Sequence, residues 1–190
     1  MVLEGQKVVL REKRITDAEN DYAWRCDRDL ARLDAASPIK PSYREYVAYY
    51  ADELRFPSRR RHRFAIESLD GKHIGNCMYY DIDEQRRQAE LGIMIGDRHY
   101  WGKGYGTDAV NTLVNHIFTE TNIDRIYLNT LEWNVRAQLC FQKCKFIPCG
   151  RVTKNGNDFI VMELHRSWLQ APQHKNAQLR SENSLLRSNT

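Results

Sequence analysis

The stretch "ELGIMIGDRHYWGKGYGTDAVNTLVNHIF", Glu90 to Phe118, restricts what this chain can fold into more than any other. An apolar run gives way to three alternating glycines, Gly102, Gly104 and Gly106, and a helical pattern follows at once. Val110, Leu113, Val114, Ile117 and Phe118 recur at i, i+3, i+4, i+7 and i+8, one face of an amphipathic helix. Glycine has no Cβ, so a backbone built from it can approach a ligand closely. The first amides of a helix have no partner inside it, and with the helix dipole they favour an anion such as phosphate. Lys103 adds positive charge and Thr107 a hydroxyl donor. A tight strand-to-helix turn is the other use of such a stretch, although a turn needs fewer glycines.

Two common nucleotide motifs do not fit. A P-loop needs GxxxxGK followed by Ser or Thr, which "GKGYGTDA" lacks. A dinucleotide fingerprint needs GxGxxG after a first strand and an acidic residue about 20 positions on. Here the glycines are spaced G-x-G-x-G, without that acid.

Around this unit the pattern predicts strands at Lys7–Arg14, Arg63–Ser68, His73–Asp83, Ala89–Gly96, Arg125–Leu131, Phe146–Val152 and Phe159–His165. One helix is expected from Thr16 and Asp17 onward, carrying Tyr22, Cys26, Leu30 and Leu33. A second starts at the capping box of Ser42 and Glu45, a third follows the glycines, and a fourth starts at Asn134. Asp70-Gly71 reads as a hairpin turn. The order β-α-α-β-β-β-α-β-α-β-β predicts an α/β fold with a mixed sheet of about seven strands and about four helices. A single domain is expected over 1–168. The polar tail, 169–190, is expected to be flexible, with "NSLLRS" able to form a short helix.

Composition narrows the class. Of 190 residues 42% are apolar and 28% charged, an ordinary soluble mixture. No apolar run approaches the roughly 20 residues of a membrane span, and "MVLEGQKVVLREKR" is too polar for a signal peptide, so a cytoplasmic protein without a membrane partner is expected. The net charge of +4 is too small to argue for nucleic acid. "RRRHR", Arg59 to Arg63, reads as a solvated loop or a contact to an anionic partner. The five cysteines, Cys26, Cys77, Cys140, Cys144 and Cys149, form no CxxC pair and read as reduced, buried thiols; no metal site is expected.

"YWGKGYGTDAV" together with "NVRAQLCFQKCKF" resembles the GNAT superfamily of N-acetyltransferases, and within it the RimJ/RimL-type branch. Gly104 and Gly106 fill the glycines of the family's Q/R-x-x-G-x-G/A, with Trp101 where Arg or Gln is usual. Asn134, Ala137, Lys143 and Phe146 match N-x-x-A-x-x-x-Y-x-K-x-G-F, whereas Phe141 replaces its Tyr and Lys145 its Gly. The resemblance implies the GNAT fold, with a splayed fourth strand, and acetyl-coenzyme A as cosubstrate. Met94, Ile95 and Gly96 would pair with its pantetheine arm. The amides of Trp101, Gly102, Lys103, Gly104, Tyr105, Gly106 and Thr107 would hold its pyrophosphate, and Asn134 and Phe141 would flank its thiol end. Glu90 stands where histone acetyltransferases of the superfamily carry a catalytic glutamate, and is expected to act as a base through water or as an anchor for the amine. An amide near Ile95 would stabilise the oxyanion. The acceptor implied is a primary amine, on a protein N-terminus or a small molecule such as a polyamine or aminoglycoside. Asp81, Asp83 and Glu84 would suit a polyamine, and "RRRHR" an acidic acceptor. Without the family's Tyr, a coenzyme A-binding regulator with little transfer is the alternative. Relatives of this branch are monomers or homodimers.

Overall fold

The structure is a computed structural model and describes residues 1–170. The polar tail and "NSLLRS" lie almost wholly outside the described residues. Eight strands form one sheet in the order β1-β2-β3-β4-β5-β6-β8-β7. They are β1 Val2–Glu4, β2 Val8–Glu12, β3 Arg61–Ser68, β4 His73–Asp83, β5 Gln88–Ile95, β6 Arg125–Leu131, β7 Ile147–Lys154 and β8 Asn157–His165. The helices are α1 Ala18–Cys26, α2 Arg28–Leu33, α3 Tyr43–Arg55, α4 Tyr105–Glu120, α5 Val135–Lys143 and α6 Arg166–Gln170.

The architecture is the α/β fold expected, with more elements than the pattern predicts. The extra strand is β1, three residues that pair with β2 through Leu3 and Leu10. The expected first helix is two helices, because Asp27 takes an extended conformation and its carboxylate accepts from the amides of Asp29 and Leu30 at 2.9 and 3.0 Å. A side chain that caps a new helix ends the old one there. Helix α6 runs across the expected border at 168. The capping box of α3 forms as the spacing predicts, with Ser42 donating its amide to Glu45 at 2.8 Å. Among the described residues no helix is long and apolar enough to cross a membrane.

Packing follows the period of each element. Helix α4 buries Val110, Leu113, Val114, Ile117 and Phe118 against Val8, Leu10, Ile66 and Leu91 of the sheet. A buried polar network ties α1 and α3 to the sheet. The Lys13 ammonium contacts Asp21 at 2.8 Å, Tyr50 donates to Asp21 at 3.0 Å, and Arg11 forks onto Asp17 at 2.8 Å. Burial depresses the Lys13 ammonium below its ordinary range even beside Asp21.

Pairing of β5 is uneven. Against β4 it runs antiparallel from Gln88 to Ile95. Against β6 it runs parallel only from Gln88↔Arg125 to Glu90↔Tyr127. Beyond Glu90 the two strands part, and the sheet is split where β5 points at α4.

Candidate active site

The split opens into a cleft of about 490 Å³ between β5, the loop before α4, α2 and α5. Its walls include Ile93, Met94 and Ile95 on β5, Trp101, Gly102, Gly104, Gly106 and Thr107 at the mouth of α4, and Asn134, Arg136, Cys140, Phe141 and Lys143 on and before α5.

The glycine turn is built for close approach. Gly102 and Gly104 hold φ of +72° and +88°, the left-handed region that side chains avoid. Nothing lies within 4 Å of a Cβ placed on Gly102, and only Lys7 methylenes, at 3.8 Å or more, meet one on Gly104. Gly104 is the N-cap of α4, so the first amides of that helix face the turn. Two features here were not legible in the sequence. Lys7, from the β1–β2 turn, donates its ammonium to the Lys103 carbonyl at 3.2 Å and stands over the Tyr105 ring. Arg136 of α5 lies 3.5 Å from the Trp101 ring centroid. The turn thus gathers cations from two distant segments beside its own Lys103.

The edge of β5 narrows one expectation. The Gly96 amide donates to the Ile74 carbonyl at 3.0 Å. Alternation along a strand then points the peptide groups of Met94 and Gly96 toward β4, and those of Ile93 and Ile95 into the split. Of Met94, Ile95 and Gly96, Ile95 alone offers its backbone to the cleft, and its carbonyl accepts from the Trp101 indole at 2.7 Å. Gly96 has a packing role instead. A Cβ there would stand 2.0 Å from the Trp24 ring, which lies on this glycine. Gly96→Ala is expected to lower the unfolding free energy by roughly 1–3 kcal/mol in a denaturant titration. In a Trp24→Ala background the same change should cost little, and additive effects would sink the packing explanation.

Glu90 sits at the inner end of the split, on the last parallel pair. Its Oε1 accepts from the Asn129 side chain at 2.8 Å. Tyr80 lies opposite on β4. Burial first, then the charges of Glu90, Asp81 and Asp34, push the Tyr80 phenol well above its ordinary value. Tyr127 is raised as well, by burial and by Glu90, Asp81 and Asp83. Carboxylates therefore surround two phenol rings at this end. Asp34, on the cleft wall beside Leu30 and Leu33, is raised by desolvation. Glu90 and Ile95 are five residues apart on an extended strand, roughly 16 Å, so one carbonyl cannot touch both. The Ile93 amide also faces the split and lies nearer to Glu90.

Asn134 caps α5, its Oδ1 accepting from Ala137 at 3.2 Å. Phe141 is 6% exposed and packs edge-on against Phe146, one side lining the cleft. The expectation of buried thiols holds for Cys77 and Cys144 but not for Cys149, which is exposed, nor for Cys26 and Cys140, which are half-buried, Cys140 on the cleft wall. Among the described residues no cluster of His, Cys, Asp or Glu could hold a metal ion.

Comparison with known proteins agrees with this geometry. An N-acetyltransferase p20 of Bacillus licheniformis is 26% identical over 148 residues, covering 74% of this chain and 82% of the relative. A spermine/spermidine N(1)-acetyltransferase of Bacillus subtilis is 31% identical over 100 residues, 50% of this chain; the match spans just under two thirds, 66%, of that relative. The crystal structure of spermidine N-acetyltransferase from Vibrio cholerae, in complex with CoA and spermine, superposes with a TM-score of 0.76 at 22% identity, covering 87% of this chain and 99% of that one. The family model described as an acetyltransferase (GNAT) domain matches residues 7–147. A match of that length, running through both the split sheet and the glycine turn, establishes that the chain belongs to the acetyltransferase (GNAT) domain family.

Proposed function

We propose that this chain transfers the acetyl group of acetyl-coenzyme A to a primary amine, and that the acceptor is a polycationic amine of the spermidine and spermine class. The observation that carries the reading is the split beyond Glu90, which opens into a cleft that runs to an anion-binding helix start and has the Asp34 carboxylate on its wall. The residues present suit the cosubstrate. The turn at Gly102 and Gly104 leaves room for phosphate, with Lys7 and Lys103 beside it. The exposed β5 edge offers Ile93 and Ile95 to an amide-bearing arm. Acetyl-coenzyme A supplies an activated acyl carbon on a thiol leaving group. Glu90, through water, accepts the proton of the incoming ammonium, whose ordinary pKa of about 10.4 keeps it charged near neutral pH. The Ile93 amide donates to the acetyl oxygen as charge develops on it. The amine nitrogen bonds to the acetyl carbon, the carbon–sulfur bond breaks, the sulfur leaves as thiolate, and the nitrogen gives up its second proton to water. Asp34, Asp81 and Asp83 around Tyr80 and Tyr127 favour an acceptor with several positive charges over a neutral or acidic one, and the relatives named for spermine and spermidine support that choice.

The test has two stages. A thermal-shift series should show stabilisation by acetyl-coenzyme A and not by ATP or NAD. A thiol-release assay should then rank spermidine and spermine above aminoglycosides and N-terminal peptides. Release with peptides alone would overturn the acceptor.

Phe141 gives a further prediction. The ring lines the cleft and carries no proton to give the departing thiolate. Phe141→Tyr should raise kcat near pH 7, below the thiol pKa of about 8.5, with the gain fading toward pH 9 where the thiolate leaves unaided. A pH–rate comparison of both proteins checks it. Equal rates at every pH would mean that protonation of the leaving group does not limit turnover. Tight cosubstrate binding without transfer in either protein would favour the regulator.

A further inference from the structure

Two thiols one turn apart on α5 have no part in the chemistry above. Cys140 belongs to the cleft wall, and Cys144 behind it is buried. The Cys140 Sγ lies 3.5 Å from the Thr107 hydroxyl, and a Cβ on Gly106 would stand 3.6 Å from the same sulfur. The Cys144 thiol lies 3.5 Å from the Thr107 carbonyl, as donor. Arg136 and Lys143, from the same helix, line the cleft as well. The Cys140 sulfur therefore faces the first turn of α4. Any group attached to it occupies the space in front of Gly106 and Thr107.

We propose that Cys140 is a modification site for small anionic disulfides, and that its mixed disulfide reversibly closes the acetyl-coenzyme A cleft. The closure rests on the cosubstrate reading above. The Cys140 thiolate attacks one sulfur of the disulfide, a new S–S bond forms, and the old one breaks. The other half leaves as a thiolate and takes a proton from water. Cys140 is oxidised and the departing half reduced, so the disulfide is the only oxidant required. Excess thiol runs the exchange backwards. The surroundings favour the attacking form. Hydrogen bonding from Cys144 lowers the Cys140 thiol to about 6 against the opposing effect of burial, with Thr107, Lys143 and Arg136 acting in the same direction as Cys144. Its role toward Cys140, and then burial, push Cys144 up, so that it stays protonated. Exposed Cys149 is raised by desolvation, and Glu163 beside it adds to this. The two cations prefer glutathione disulfide to cationic cystamine.

The test uses the reduced full chain at pH 6.5. Glutathione disulfide is added, the adduct is mapped by tandem mass spectrometry, and affinity is measured by calorimetry with desulfo-coenzyme A, which has no thiol to reverse the exchange. The adduct is expected on Cys140. Desulfo-coenzyme A at ten times its Kd should slow its formation about ten-fold, the drop in free protein. Cystamine should react more slowly than glutathione disulfide. The modified protein should lose affinity for desulfo-coenzyme A and regain it with dithiothreitol. Cys140→Ser, whatever its own affinity, should not respond to the disulfide, and Cys144→Ala, which has no proton to donate, should move the pH midpoint of labelling upward. An adduct on Cys149 or Cys26 with Cys140 free would overturn the site. A Cys140 adduct that leaves affinity unchanged would overturn the closure. If the reduced protein binds no desulfo-coenzyme A, the cosubstrate reading falls and the closure with it, while the peptide map still decides the site.

Discussion

Glu90→Gln is expected to lower turnover by roughly 10²–10⁴, the usual contribution of a positioned base, while leaving cosubstrate affinity near its starting value. The substitution keeps the shape of the side chain, and glutamine can still accept from Asn129, so the end of β6 stays where it is. The base alone is lost. A carboxylate at the last pair of β5 and β6 is close to the reacting end of the cleft and far from the glycine turn. The effect should therefore appear in kcat. If the KM for the amine rises and kcat holds, Glu90 is an anchor for a cationic acceptor, and the proton leaves by another route. Measuring kcat and KM separately with spermidine as the varied substrate separates the cases.

Gly106→Val is the second large effect. Cosubstrate affinity should fall by at least about 100-fold, some 2.7 kcal/mol, in a calorimetric titration. Gly106 is the informative position because its backbone is an ordinary helical one. A Cβ there meets the Cys140 sulfur and the Ile95 side chain at 3.6 Å, normal contact distances. Gly106→Ala should fold at least as well as the parent, since glycine is a poor helix former. Gly104→Val is less clean. Its φ of +88° adds backbone strain of about 1–3 kcal/mol to any loss of binding. Unchanged affinity in a folded Gly106→Val protein would show that phosphate does not lie against α4.

Local signals in the sequence gave the elements of this site, and long-range contacts decided how they are used. The period of α4, the Ser42 capping box and the Asp70-Gly71 hairpin depend on near neighbours, and each forms as the pattern predicts. The split of the sheet follows from the short parallel pairing of β5 and β6, which no local pattern records. The resemblance implies a ligand contact for Gly96, and no local pattern shows that Trp24, 72 positions earlier, lies on it. Lys7 and Arg136 escaped notice because a lone cation in a strand or helix carries no motif. Asp34 escaped for the opposite reason: a carboxylate at the end of a short helix is ordinary until the fold sets it on the wall of a cleft.

Asp108, in the first turn of α4, accepts from the amides of Gln6, Lys7 and Val8 at 3.1, 2.7 and 3.1 Å. Gly5 is held so near this carboxylate that a Cβ would lie 2.5 Å from it. The carboxylate thus fastens the N-terminal hairpin to the anion turn across about a hundred residues of sequence. Closing so long a loop costs entropy before its contacts give anything back. In time-resolved refolding, secondary structure should therefore return before the capacity to bind phosphate, and that capacity should be the first property lost on mild unfolding. Made from its N-terminus, the chain would expose Gln6, Lys7 and Val8 long before Asp108 emerged to fasten them.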